Sequence, residues 1–108
     1  MKIMKIEQFD LNELIKRILS VCEAKKIILF GSSARGDTHK YSDIDVMVVV
    51  ADGNHRRHTA QTIYKSLRGF QYPVDIIVAT ESDLISYADV PGYVYKEVLT
   101  DGRELYAA

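Results

Sequence analysis

Three aspartates stand where a folded chain seldom places charge. Asp43 and Asp45 open the apolar run Val46-Met47-Val48-Val49-Val50, and Asp75 interrupts a second, Val74-Asp75-Ile76-Ile77-Val78. Both runs read as buried strands, because they are short, continuous and rich in β-branched residues. Side chains alternate along a strand, so Asp43 and Asp45 share a face, roughly 6–7 Å apart. Carboxylates at that spacing repel by roughly 2–3 kcal/mol at an effective dielectric near 20. A cation between them relieves the cost, and an oxygen-only donor set suits Mg²⁺ or Mn²⁺. Unpaired charges are seldom buried. Asp75 is therefore either an edge-strand carboxylate facing water or a third member of the same acidic site; with Asp43 and Asp45 upstream, the second reading is preferred.

A polar stretch precedes the pair. The run Ile27-Ile28-Leu29-Phe30 is a first strand, and it ends in Gly31-Ser32-Ser33-Ala34-Arg35-Gly36-Asp37. Gly31 permits close backbone approach, and Ser32 offers a hydroxyl and an N–H to an anion. Residues 32–36 suit a short helical turn whose free N–H groups face whatever Ser32 binds. The Arg35 guanidinium matches phosphate oxygens; its other reading is a surface ion pair with Asp37. Ser42 either caps the strand entry or touches phosphate. Tyr41 is either a stacking platform for a base or a surface tyrosine.

Gly31-Ser32, ten intervening residues and Asp43-Ile44-Asp45 between two strands resemble the signature of the polymerase-β-type nucleotidyltransferases. Within that superfamily the chain most resembles the minimal nucleotidyltransferases, which often partner HEPN-domain proteins in toxin–antitoxin modules. The resemblance covers about Ile27 to Tyr106 and includes the closing Gly102-Arg103-Glu104-Leu105-Tyr106. It implies a nucleotidyltransferase fold, with Asp43, Asp45 and Asp75 as catalytic residues and as ligands of two Mg²⁺ ions (Mn²⁺ serving as well). Asp75 would help deprotonate an acceptor hydroxyl, and Gly31, Ser32, Arg35 and Ser42 would bind the nucleotide. The implied reaction moves a nucleoside monophosphate, AMP from ATP, to a hydroxyl on a partner protein. The alternative is a non-catalytic antitoxin that masks a HEPN-domain partner.

These residues need elements to hold them. Asp10 as N-cap, with Glu13 completing a capping box and Phe9 stapling Leu14, predicts a helix over 11–24. Leu11, Leu14, Ile15, Ile18, Leu19 and Cys22 form its apolar stripe. Further helices are expected over 55–68, with Ala60, Ile63, Tyr64 and Leu67 inward, after the capping pair Thr80 and Asp83, and over 93–100. Strands are expected at 27–30, 44–51 and 74–79, with a short edge strand at 103–106. The helix between the second and third strands is long enough for a parallel crossover. Parallel pairing puts all three carboxylates at one sheet end; for Gly31-Ser32 to meet them, the first strand must run antiparallel to the second. The expected class is α/β (α+β), a mixed sheet packed by helices. Ile44, Val46, Val48 and Val50 should face the helical core, while Met47 and Val49 continue the face of the aspartates.

Composition narrows the classes. The 108 residues are 47% apolar and 27% charged, as expected of one globular domain, residues 1–108, with one modest core. No apolar run approaches the roughly 20 residues of a membrane span, and the start lacks a secretory h-region. A single cysteine, Cys22, excludes an internal disulfide and suits a cytoplasmic setting. A net charge of −1 argues against stable nucleic-acid binding. Arg56 and Arg57 read as a solvated helix face, with triphosphate contact as the lesser reading, and a zinc site at His55 and His58 is disfavoured. Tyr87, Tyr93 and Tyr95 suit a protein interface. A homo-oligomer is compatible with all of this.

Overall fold

The segment Ile44–Val50 is apolar at every position but Asp45 because both of its faces are covered. The computed structural model describes residues 7–31 and 44–108. In order these form α1 (Gln8–Val21), β1 (Lys26–Phe30), β2 (Ile44–Val50), α2 (Arg56–Ser66), β3 (Val74–Thr80), α3 (Glu81–Tyr87), α4 (Val94–Asp101) and β4 (Arg103–Ala107). The strands make one sheet, ordered β3-β2-β1-β4. β2 and β3 are parallel, joined through α2, while β1 runs antiparallel to β2 and to the edge strand β4. The expected mixed sheet and its strand directions are thus observed.

Alternation along β2 splits the core in two. Ile44, Val46, Val48 and Val50 pack with Ile27 and Leu29 of β1, Ile76 and Val78 of β3, Leu14 and Ile18 of α1, and Ile63 of α2. Met47 and Val49 turn the other way, against Ile28, Phe30, Ala79 and Val98 of α4, with Leu84 of α3 alongside. Each fully buried Leu, Ile or Val contributes about 1.5–3 kcal/mol relative to exposure. Helices therefore cover the second face too, beyond the end where the aspartates stand.

The first helix begins earlier than its sequence suggests. Glu7 is the N-cap and Asp10 the third helical residue, its carboxylate accepting the Glu7 N–H at 3.0 Å. The cause is tertiary: Asp10, only 3% exposed, also accepts from Gln71 Nε2 at 2.7 Å and from the Tyr72 hydroxyl at 3.2 Å. That bonding ties the start of α1 to the segment entering β3. Glu13, freed of a capping role, pairs with Arg17, and Phe9, 70% exposed, staples nothing. The helix also stops sooner, since Cys22 is extended. Cys22 is half-buried against the core, and burial pushes its thiol pKa up. Arg17 Nη1 donates to the Ser66 and Arg68 carbonyls at 3.1 and 2.7 Å, a cation on the carbonyls at the C-terminal end of α2. The Thr80–Asp83 box that opens α3 is as expected.

Replacing Asp10 by Ala should lower stability by about 2–3 kcal/mol, since charged hydrogen bonds are lost and two partly buried donors are stranded. A urea midpoint equal to wild type would refute this anchoring role. Burial, and then the Asp10 charge, raise the Tyr72 hydroxyl pKa above its ordinary 10.0. Its contribution is complete below pH 10.0 and declines as pH rises through the higher folded value. Tyr72→Phe should therefore lose less stability than wild type on going from pH 9 to pH 11.

Candidate active site

The candidate site is assembled at the end of the sheet where β2 and β3 begin and β1 ends. In the parallel register Asp45 lies beside Asp75, with Cα atoms about 4.8 Å apart as for any neighbouring strands. Residues in register share a face, so both carboxylates lie on the side that continues into Met47, Val49, Ile77 and Ala79. Asp45 is half-buried and Asp75 exposed on the edge strand. The edge position that sequence weighed against function is real, and it leaves the carboxylate open to an incoming group.

The third element arrives from the opposite direction. Phe30, the last residue of β1, pairs with Asp45. Gly31 follows with φ of +72°, in the left-handed region, where a side chain costs roughly 1–2 kcal/mol. Space is tighter still: a Cβ on Gly31 would lie 2.5 Å from Asp45 Oδ2. A side chain at residue 31 would therefore have to displace the Asp45 carboxylate or the backbone beside it.

Ser32, Arg35, Ser42 and Asp43, with Asp37, His39 and Tyr41, lie outside the described residues. Among the described residues no three His, Cys, Asp or Glu side chains converge as a metal cage; the described acidic pair is Asp45 with Asp75. Its all-oxygen chemistry and the room kept by Gly31 fit a hard divalent cation. Other polar groups are engaged elsewhere. Arg56 Nη1 donates to Asp83 Oδ2 at 2.9 Å. Asp83 in turn caps Thr80 at the far end of β3, about 17 Å along the strand from Asp75. That placement removes Arg56 as a triphosphate contact at the acidic end. His55 Nδ1 accepts the His58 backbone N–H as a helix cap. Asp52 accepts from the Ser82 N–H and hydroxyl, and those bonds hold its pKa below the ordinary carboxylate value.

Sequence reading missed one polar contact beside the site. The Tyr64 hydroxyl accepts the Ile76 N–H at 2.8 Å. Helical spacing puts Tyr64 on the apolar stripe of its helix; the signal for the contact is its hydroxyl, which an apolar stripe does not need. Tyr87, Tyr93 and Tyr95 stack together with ring centroids 4.9–6.3 Å apart.

Comparison with known proteins identifies the family of the fold. The model of the nucleotidyltransferase domain family matches residues 11–103. A Methanocaldococcus jannaschii chain, provisionally named protein adenylyltransferase MJ0604, is 38% identical over 82 residues, spanning 76% of this chain and 78% of its own. Protein adenylyltransferase MntA of Shewanella oneidensis is 28% identical over 102 residues, covering 94% and 68%. A crystal structure of a toxin–antitoxin with AMP-PNP superposes with a TM-score of 0.61 at 27% identity, over 91% of this chain and 73% of that one.

Gly31→Ala tests the closeness of β1 to Asp45. It should cost about 1–2 kcal/mol through the left-handed backbone alone, and the displaced carboxylate should reduce nucleotidyl transfer by more than about tenfold. An alanine variant with wild-type melting temperature and wild-type transfer would show that the approach is not needed.

Proposed function

The chain belongs to the nucleotidyltransferase domain family, and from that premise we propose that it transfers AMP from ATP to a hydroxyl of a partner protein, as the antitoxin of a HEPN-containing module. The nucleotidyltransferase activity follows from the family and from relatives named protein adenylyltransferases. The observation that carries the finer reading is the in-register pair Asp45 and Asp75, with Gly31 shaped to the first of them. A toxin–antitoxin solved with AMP-PNP, one chain of which resembles this fold, supports both the nucleotide and the partner.

Nucleotidyltransferases of this family generally use divalent metals. Asp45 and Asp75, with Asp43, would hold Mg²⁺ (or Mn²⁺), two ions in all, whose charge would offset that of the triphosphate. The remaining roles belong to the chain. Gly31, Ser32, Arg35 and Ser42 would fix the phosphates, by backbone approach, hydroxyl donation and the guanidinium fork. The acceptor oxygen attacks the α-phosphorus in line, the bond to the β-phosphate oxygen breaks, and pyrophosphate leaves. The acceptor's proton passes toward the Asp75 carboxylate, whose exposure on the edge strand lets a docked hydroxyl reach it.

A protein acceptor suits the surface. Tyr87 and Tyr93 are 36% and 51% exposed, and Ile85 and Leu99 nearby are 83% and 49% exposed. Aromatic area of this kind is characteristic of interfaces. Among the described residues no helix is long and apolar enough to cross a membrane.

Co-expression with a HEPN-domain protein sought in the neighbouring reading frames, followed by intact-mass spectrometry, is the test. The complex should co-purify, and the partner should gain the mass of AMP when ATP and Mg²⁺ are supplied. Asp75→Asn should cut transfer by about 10²–10⁴-fold, the usual size of a lost proton acceptor, and Asp45→Asn should abolish it with the fold intact. Co-purification with no added mass would establish the masking antitoxin instead, and an active Asp45→Asn would break the site assignment.

A further inference from the structure

We infer that Tyr64 is a positioning residue for Asp75, acting through the backbone of the edge strand; this rests on the reading of Asp75 as a metal and proton ligand given above. In a parallel pair the N–H and C=O of one residue point to the same side, and successive residues alternate. The Pro73 carbonyl accepts from the Ile44 N–H at 2.9 Å. Residues 73, 75 and 77 therefore turn their backbone groups toward β2, and those of Ile76 point outward, where among the described residues the sheet has no further strand. Tyr64, from α2, fills that position with its hydroxyl at 2.8 Å from the Ile76 nitrogen.

The bonded N–H belongs to the planar peptide unit that begins at the Asp75 carbonyl. Asp75 is thus fixed from both sides, by the β2 register inward and by Tyr64 outward. Its own side chain is exposed, so packing does not aim the carboxylate; the backbone must. Fold stability does not hang on this bond, because a single neutral hydrogen bond contributes little net. Tyr64 is itself 44% exposed, so its ring is no core element, and what the position supplies is the hydroxyl.

Tyr64→Phe keeps the ring and removes the acceptor. The experiment titrates the full chain with Mn²⁺ in the presence of AMP-PNP, following free Mn²⁺ by electron paramagnetic resonance. Wild type, Tyr64→Phe, Asp75→Asn and the double variant are compared, and exchange of the Ile76 amide is measured without metal. Tyr64→Phe should speed that exchange, leave the melting temperature within about two degrees, and weaken Mn²⁺ binding about tenfold, the low end for outer partners of metal ligands. In the double variant its effect should vanish, since both changes act through one carboxylate. Wild-type Mn²⁺ affinity in Tyr64→Phe, beside weakened binding in Asp75→Asn, overturns the positioning role alone, as does strict additivity. Unchanged binding in Asp75→Asn overturns the metal reading of Asp75, and this inference with it.

Discussion

The parallel pairing of β2 with β3 is the constraint from which the rest of the molecule follows. It sets two carboxylates beside each other on one face, where unit charges about 5 Å apart repel by about 3 kcal/mol at an effective dielectric near 20. The pairing persists because the same register buries Ile44, Val46, Val48 and Val50 with Ile76 and Val78 on the opposite face. A slip of β3 by one residue would exchange its faces, carrying Asp75 away from Asp45 to the side of Ile44, Val46 and Val48. Parallel neighbours also demand a crossover, and α2 supplies it. The antiparallel course of β1 then brings Gly31 to the same end.

The two ends of the sheet are differently furnished. At one, the backbone makes room around a carboxylate and leaves another exposed. At the other, polar groups satisfy each other: Arg56 with Asp83, Asp83 with Thr80, Asp52 with Ser82. The closed end lets α3 and α4 seat on Met47 and Val49 without stranding charge. Tyr95 packs beside that second cluster, and its hydroxyl pKa is raised first by burial and then by the Asp83 charge, against the opposing effect of Arg56.

The topology was legible because chemistry and pattern gave one answer. Three aspartates in two apolar runs, with Gly31 ending a third, can converge only if one pair of strands is parallel and another antiparallel, and the sheet obeys. The start of α1 was not legible. Glu7 and Asp10 have the same spacing as Asp10 and Glu13, and local propensity cannot choose between the two boxes. Gln71 and Tyr72, far along the chain, decide it by bonding Asp10. Arg56 was ambiguous for a related reason: its ion pair with Asp83 depends on how α3 follows β3. The Tyr64 contact needs the edge position of β3, which a hydrophobic stripe does not encode. The resemblance carried by Gly31-Ser32 and Asp43-Ile44-Asp45 reached the family correctly, since a motif of fixed residue types and spacing is read along the chain and does not depend on which distant residues pack against it.

Strand β1 lies inside the sheet although it comes early in sequence, and its second neighbour is β4, where Lys26 meets Ala107 and Ile27 meets Tyr106. A nascent chain therefore holds an incomplete sheet for most of its synthesis. Until residues 103–107 are made, one side of β1 offers bare backbone donors and acceptors beside Ile27 and Leu29. Such edges invite pairing with other chains, and the loop closure that removes this one is among the longest the fold requires. The order in which the strands were laid down thus makes the last pairing to form also the one that protects the middle of the sheet.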